Sequence, residues 1–250
     1  MERVALVTGG GSGIGREICK GLATDGRRVA VADLNAEGAA VTTAMITEAG
    51  GTALAVEMDV ANSESVAQGL LQVIDELGPV EVLVNCAGWD VLKPFLDTDE
   101  DFWDRVIEIN YKGALRTVHG CLPAMIEAGW GRIVNIGSDA GRVGSSLEAV
   151  YSGAKGGVIA FTKTVAREVA RNGITANTVC PGPTDTPLLD GIVEASDNGE
   201  KVIGAMARAV PMKRLGQPHE VASAVVYFCS EPAGFISGQT LSVSGGLTMA

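Results

Sequence analysis

The stretch Val4-Ala5-Leu6-Val7-Thr8-Gly9-Gly10-Gly11-Ser12-Gly13-Ile14-Gly15 decides the fold. Its first five residues are apolar or β-branched and read as a strand, and the glycine run leads straight into a helical pattern over 13–26. A strand with no polar face must be covered on both sides, which is the condition of strands in a parallel sheet. Gly9 allows the chain to reverse at the strand end. Gly15 allows the new helix to pack closely on the sheet.

The alternation continues along the chain. Further strand patterns fall at Arg28–Asp33, Ala53–Asp59, Val80–Asn85, Arg132–Ser138, Ile174–Cys180 and Thr240–Val243. Helical patterns lie between them, near 36–49, 63–77, 99–128, 151–171 and 218–230. The expected class is α/β, a single doubly wound parallel seven-stranded sheet with helices on both faces, of the Rossmann type. A length of 250 residues suits one such domain over 1–250. One segment breaks the rhythm: Pro181–Pro218 is long and leaves the carboxyl end of a strand, where open α/β sheets bind ligands. Residues 184–216 are therefore expected to form a substrate lid.

Composition narrows the function. A formal net charge of −11 argues against a nucleic-acid partner, which would require clustered Lys and Arg. No apolar run reaches the roughly 18 residues of a membrane span. The first residues enter a strand pattern without a signal-peptide layout, so a cytoplasmic location is expected. Cys19, Cys86, Cys121, Cys180 and Cys229 are scattered and form no C-x-x-C pair, and they read as small buried residues. His119 and His219 lie near no cysteine pair with ligand spacing, so no metal site is expected.

The glycine loop also carries chemistry. Gly13 lets the backbone approach a pyrophosphate, which would sit on the free N–H groups of the helix N-terminus, beside Ser12 and Ile14. No Lys-Ser/Thr pair ends the run, which excludes a P-loop. Asp33 closes the second strand, where a carboxylate can accept hydrogen bonds from both adenosine ribose hydroxyls and repel a 2′-phosphate. Leu34 and Asn35 add no cation, and Arg16 belongs to the first turn of the helix. The expected cofactor is NAD.

Tyr151 and Lys155 open a later helical pattern four residues apart, on one face. A phenol near its ordinary pKa of about 10 carries protons poorly at neutral pH, and bringing it near 7 takes roughly 4 kcal/mol. A nearby ammonium and a positive nicotinamide ring both act in that direction. Ser138 lies at the end of the fifth strand pattern, placed to hydrogen-bond a substrate oxygen.

Together these motifs resemble the short-chain dehydrogenase/reductase family over essentially the whole chain. TGGGSGIG fits that family's TGxxxGxG, and Asn85-Cys86-Ala87-Gly88 fits its NNAG, with Cys86 replacing the second Asn. The resemblance implies Ser138, Tyr151, Lys155 and Asn110 as catalytic residues, Asn110 holding a water that links the lysine to bulk proton exchange. It places Asp59 and Val60 at the adenine. Asn85, Ala87 and Gly88 would steady the cofactor, and Pro181, Gly182, Thr184 and Thr186 would meet the nicotinamide. The Pro211…Arg214-Leu215-Gly216…Pro218 run and Ser244-Gly245-Gly246 complete the match. It also implies a homotetramer, built on the helices near 99–128 and 151–171 and on the C-terminal strand.

The family leaves the substrate open. Gly88-Trp89-Asp90, Ser138-Asp139 and Arg142-Val143-Gly144-Ser145-Ser146 are more particular, and they resemble those of members acting on alicyclic CoA thioesters, which implies a substrate with a hydroxyl β to the thioester, such as 2-hydroxycyclohexanecarboxyl-CoA. The alternative is reduction of a 3-oxoacyl group on acyl-carrier protein. Trp89, Arg142, Val143 and Leu188 are the expected substrate contacts, with Leu147 and Leu189 completing an apolar wall. Lys93, Arg142, Arg208 and Lys213 are candidate cations for a CoA phosphate. A binding protein that had lost catalysis would be expected to lack one of Ser138, Asn110, Tyr151 and Lys155, and all four are present. A serine hydrolase would need a G-x-S-x-G elbow and a histidine base, and neither is found.

Overall fold

The computed structural model describes residues 2–194 and 199–249, and among them the strands form one seven-stranded sheet of order β3-β2-β1-β4-β5-β6-β7. The strands are β1 (Val4–Thr8), β2 (Arg28–Asp33), β3 (Ala53–Glu57), β4 (Val80–Asn85), β5 (Gly131–Ile136), β6 (Ile174–Pro181) and β7 (Thr240–Val243). Every neighbouring pair is parallel. The order reverses between β1 and β4, and that switch point opens a crevice at the carboxyl ends of the strands.

Helices α1 (Gly13–Thr24), α2 (Ala36–Glu48), α3 (Ser63–Leu77), α4 (Glu100–Ile107), α5 (Gly113–Ala128), α6 (Ala140–Val143), α7 (Ala149–Val169), α8 (Pro187–Glu194), α9 (Gly199–Ala209) and α10 (Pro218–Phe228) connect the strands. The period-two alternation of β1 divides the core between two faces. Val4 and Leu6 join Leu83, Val118, Met125, Ile133 and Val165 on one face. Ala5 and Val7 join Ile18, Leu22, Val31, Val84, Val225 and Phe228 on the other. No helix among the described residues is long and apolar enough to cross a membrane.

Several boundaries depart from the sequence reading, among them β3, which stops at Glu57 and not at Asp59. The segment near 99–128 is two helices joined by a π turn, Glu108–Lys112, and not one helix. Strand β5 stops at Ile136, so Ser138 stands two residues beyond it, in the loop. Residues 195–198 of the expected lid lie outside the described residues.

Polar side chains cross-link the sheet centre. The Asn85 amide donates to Asn135 Oδ1 (2.8 Å), the Asn135 amide to Thr162 Oγ1 (2.8 Å), and the Thr117 hydroxyl to Asn85 Oδ1 (2.6 Å). All four residues are buried, so a polar group left unpaired there is costly. Asn135→Leu strands the Asn85 amide, while the Thr162 hydroxyl keeps its bond to the Val158 carbonyl (2.7 Å), and is expected to lower unfolding stability by about 1–3 kcal/mol in urea denaturation. A loss below about 0.5 kcal/mol would show that the network contributes little.

Candidate active site

A cleft of ≈ 690 Å³ runs along the carboxyl ends of the central strands. Its first end is built by the glycine loop. Gly9 has φ +69°, a conformation that favours glycine, and a Cβ on Gly15 would lie 2.0 Å from the Gly9 carbonyl oxygen. Backbone is therefore the whole wall here, and Ser12, Gly13, Ile14 and Gly15 line it. The Gly11 N–H donates to Asp33 Oδ2 (2.8 Å) and the Asn35 N–H to Oδ1 (2.9 Å), which fixes the carboxylate at the cleft edge. Leu34 lines the cleft beside it and is exposed. Arg16 is occupied by the Thr42 hydroxyl (3.0 Å) and the Gly11 carbonyl.

Asp59 and Val60 line the cleft beyond β3, Ala87 and Gly88 beyond β4, and Pro181, Gly182, Thr184, Thr186, Leu188 and Leu189 at and beyond the end of β6. Thr184 bridges to Gly216, and the Thr186 hydroxyl accepts from the Leu189 N–H (3.3 Å), so the loop after β6 is tied to the start of α8. A bare peptide cradle, a ribose-height carboxylate and a long groove between them fit a dinucleotide.

Ser138, Tyr151 and Lys155 converge on the wall of this groove. The Ser138 hydroxyl accepts from the Ala140 N–H (3.1 Å), and the short α6 turn positions it. Helix α7 carries the other two, and Lys155 Nζ lies 5.6 Å from the Tyr151 ring centre. The Lys155 ammonium donates to the Ile136 carbonyl (2.9 Å) and is buried, and burial lowers its pKa to about 8. Burial also holds the Tyr151 phenol above its ordinary value. The Glu148 and Asp90 carboxylates add to that shift, and the Ser138 hydroxyl opposes it. The protein's own groups thus disfavour phenolate, contrary to the acidification expected from Lys155 alone.

Asn110 sits in the π turn and not on the cleft wall. Its amide donates to the carbonyls of Trp89 (2.7 Å) and Val106 (3.0 Å). Beside it a small cavity of ≈ 10 Å³, about the room of one water, is lined by Asn110, Asn85, Ala87, Ile136 and Lys155.

Comparison with known proteins decides the family. The family model described as enoyl-(acyl carrier protein) reductase matches residues 9–248. The chain is 40% identical to the acetoacetyl-CoA reductase of Shinella zoogloeoides, with 98% of each chain covered. It is 38% identical to the 3-oxoacyl-[acyl-carrier-protein] reductase FabG of Vibrio cholerae serotype O1, over 99% of this chain and 98% of that one. The crystal structure of a single-substitution variant of actinorhodin polyketide ketoreductase with NADPH superposes with a TM-score of 0.94 at 39% identity, covering 98% of this chain and 97% of that one. The chain belongs to the short-chain dehydrogenase/reductase family. It is an oxidoreductase of the CH–OH/ketone type that uses a nicotinamide cofactor.

Within this short-chain dehydrogenase/reductase several expected contacts lie elsewhere. Arg142 turns away from the cleft and donates to Ser242 Oγ on β7 (2.6 Å), because the single turn of α6 sends Val143 inward and its neighbour outward. Asn85 turns its amide into the sheet network described above and not into the cleft. Trp89, Val143, Leu188 and Leu189 do line the cleft, and Leu147 does not. Lys93 stands over the Phe102 ring and Lys213 donates to the Arg208 carbonyl (2.8 Å).

Asp90, Arg105 and Glu148 line the cleft without having been singled out as site residues. Arg105 stacks on Trp89, 3.9 Å from the ring centre. Cys86, in place of the family's second Asn, has its thiol pushed up to about 12 by burial and stays neutral. Gly15→Ala puts a methyl against the Gly9 carbonyl and is expected to weaken dinucleotide binding by roughly 100-fold, read by nicotinamide fluorescence titration. Unchanged affinity would show that the loop does not set the cradle.

Proposed function

We propose that this enzyme is an NAD-dependent dehydrogenase that interconverts a secondary alcohol and a ketone, with a β-hydroxyacyl thioester as substrate. The observation that carries the chemistry is the convergence of Ser138, Tyr151 and Lys155 on one wall of a groove that begins at Gly9–Gly15. When bound, NAD supplies the hydride acceptor and a positive nicotinamide ring.

In oxidation the Tyr151 phenolate takes the alcohol proton and the Ser138 hydroxyl holds the oxygen. Lys155 stabilises the phenolate and orients the cofactor ribose. Asn110 and a water in the small cavity beside Lys155 would carry the proton onward. Reduction runs in reverse, with Tyr151 as the acid. Because the phenol is held high by burial and by Glu148 and Asp90, it would ionise near neutral pH only beside positive charge, which Lys155 and the bound cofactor would supply together.

Preference for NAD rests on Asp33. Its carboxylate is fixed by two backbone N–H groups at the groove edge, next to Leu34 and with Arg16 occupied elsewhere. Ser12, Gly13, Ile14 and Gly15 would take the pyrophosphate. Asp59 and Val60 would face the adenine, and Ala87 and Gly88 the central span. Pro181, Gly182, Thr184 and Thr186 would meet the nicotinamide. Asn85 then acts through the sheet alone.

For the substrate, the names of the relatives favour acyl thioesters. The Trp89, Val143 and Leu188 wall favours a ring, as in 2-hydroxycyclohexanecarboxyl-CoA, and the chain's particular segments look like those of 2-hydroxycyclohexanecarboxyl-CoA dehydrogenase. Reduction of 3-oxoacyl-[acyl-carrier-protein] is the second reading, favoured by the FabG likeness. The segment 184–216 would act as lid over one domain spanning the chain. Exposed Phe235, Leu241 and Met249 near the C-terminal end of the chain support a homotetramer that covers them, and we assign the enzyme to the cytoplasm on its sequence alone.

A steady-state panel tests this reading. NAD with cyclic β-hydroxyacyl-CoA is expected to give the highest kcat/KM, and linear acyl-carrier-protein substrates turning over best with NADPH would overturn it. Tyr151→Phe is expected to lower turnover by about 10³-fold. Oxidation should rise with pH as Tyr151 ionises and reduction should fall, because one direction needs the phenolate and the other the phenol; pH-independent rates in both directions would contradict the role of Tyr151.

A further inference from the structure

Helix α7 brings a third side chain to the cleft besides Tyr151 and Lys155. Glu148 stands at the N-cap of the helix, three residues before Tyr151, and its carbonyl accepts from the Ser152 N–H (2.7 Å), which closes the first turn. Residues three apart on a helix are neighbours, with Cβ atoms about 5–6 Å from each other. Glu148 and Tyr151 both line the cleft, and Val143 and Ser145 line it ahead of them. Glu148 is partly exposed, and no Lys or Arg forms an ion pair with it among the described residues.

The rest of the wall does not cancel that carboxylate. Asp90, from the loop after β4, is a second acid lining the same cleft. The Lys155 ammonium is engaged by the Ile136 carbonyl (2.9 Å), and the Arg105 guanidinium lies over the Trp89 ring. Burial lifts the Glu148 pKa above its ordinary value, and the Ser145 hydroxyl opposes the shift. Two like charges about 6 Å apart at an effective dielectric near 20 repel by an amount equivalent to roughly 100-fold in binding.

We infer that Glu148 is a specificity-determining residue whose charge excludes free β-hydroxy acids and leaves the neutral acyl derivative, a thioester or an ester, as the accepted form. This rests on the β-hydroxyacyl reading of the substrate. In a β-hydroxy acid one carbon separates the carboxylate from the reacting carbon. Holding the hydroxyl at Ser138 and Tyr151 therefore brings the anion to the wall that Glu148 shares with Tyr151. Esterification removes the charge and keeps the carbonyl. A specificity of this kind is built from repulsion of the wrong ligand, with no added contact to the right one.

The test uses the full chain and two alcohols, methyl 2-hydroxycyclohexanecarboxylate and its free acid, each oxidised with NAD at about pH 9, well above the ordinary carboxylate range. The quantity read is the ester-to-acid ratio of kcat/KM. Any effect of Glu148 on the ionisation of Tyr151 acts on both substrates and cancels in that ratio. Wild type is expected to favour the ester by at least about 10-fold, and Glu148→Gln, which removes the charge and keeps the shape, to lower the ratio by about 10- to 100-fold through a gain on the acid. Glu148→Asp keeps the charge and should hold the ratio within about 3-fold of wild type. Equal turnover of the two alcohols by wild type overturns the inference without any variant. So does a ratio unchanged in Glu148→Gln, a ratio that falls there only through loss of the ester, or the same fall in Glu148→Asp as in Glu148→Gln. Neither alcohol carries CoA, so failure of the thioester reading registers separately, as wild type turning over the CoA thioester no faster than the methyl ester.

Discussion

Burial opposes both ionised groups at the Tyr151–Lys155 pair. It raises the phenol and brings the ammonium down to about 8, and the hydroxyl of Ser138 recovers only part of the shift at Tyr151. In the proposed reaction the phenolate must nonetheless form. The missing stabilisation has to come from a cation placed beside the ring, and in the proposed site the glycine loop at Gly9–Gly15 would hold the cofactor that brings it. The low dielectric that disfavours an isolated phenolate also strengthens its attraction to such a cation. A dry site therefore couples proton transfer to cofactor charge.

The sheet makes that coupling geometrically possible. Parallel pairing of β1 with β4 places the glycine loop and the Ala87–Gly88 loop side by side at one edge. Pairing of β4 with β5 and of β5 with β6 brings Ser138 and Pro181 to the same edge. The Asn85–Asn135–Thr162 links hold those strands in register and attach α7 to them through Thr162. Helix α7 then delivers Tyr151 and Lys155 together, since a four-residue spacing keeps both on one face. Arg142 contributes from outside the cleft, tying the catalytic-side loop to β7 through Ser242.

Much of this was legible in the sequence because local rules carried it. The strand–glycine–helix order, the alternation of apolar runs and the Tyr151/Lys155 spacing each follow from periods of two or 3.6 residues. The π turn at Glu108–Lys112 was not legible. Its five residues include no glycine or proline, and it is accompanied by reciprocal tertiary hydrogen bonds between Asn110 and Trp89. Arg142 was misplaced because a single helical turn gives no periodicity from which to choose a face. Asp90 and Glu148 escaped for a related reason: nothing in a loop sequence tells a buried carboxyl from a solvated one until packing removes the water.

The most direct measurement is the ionisation of Tyr151 itself, followed by phenolate difference absorbance with and without NAD. Tyr111 and Tyr227 are the only other tyrosines, so subtraction of the Tyr151→Phe signal isolates it. NAD should lower the Tyr151 pKa by several units, with protons released on binding. An identical titration in the free and NAD-bound enzyme would contradict the coupling on which the proposed reaction rests.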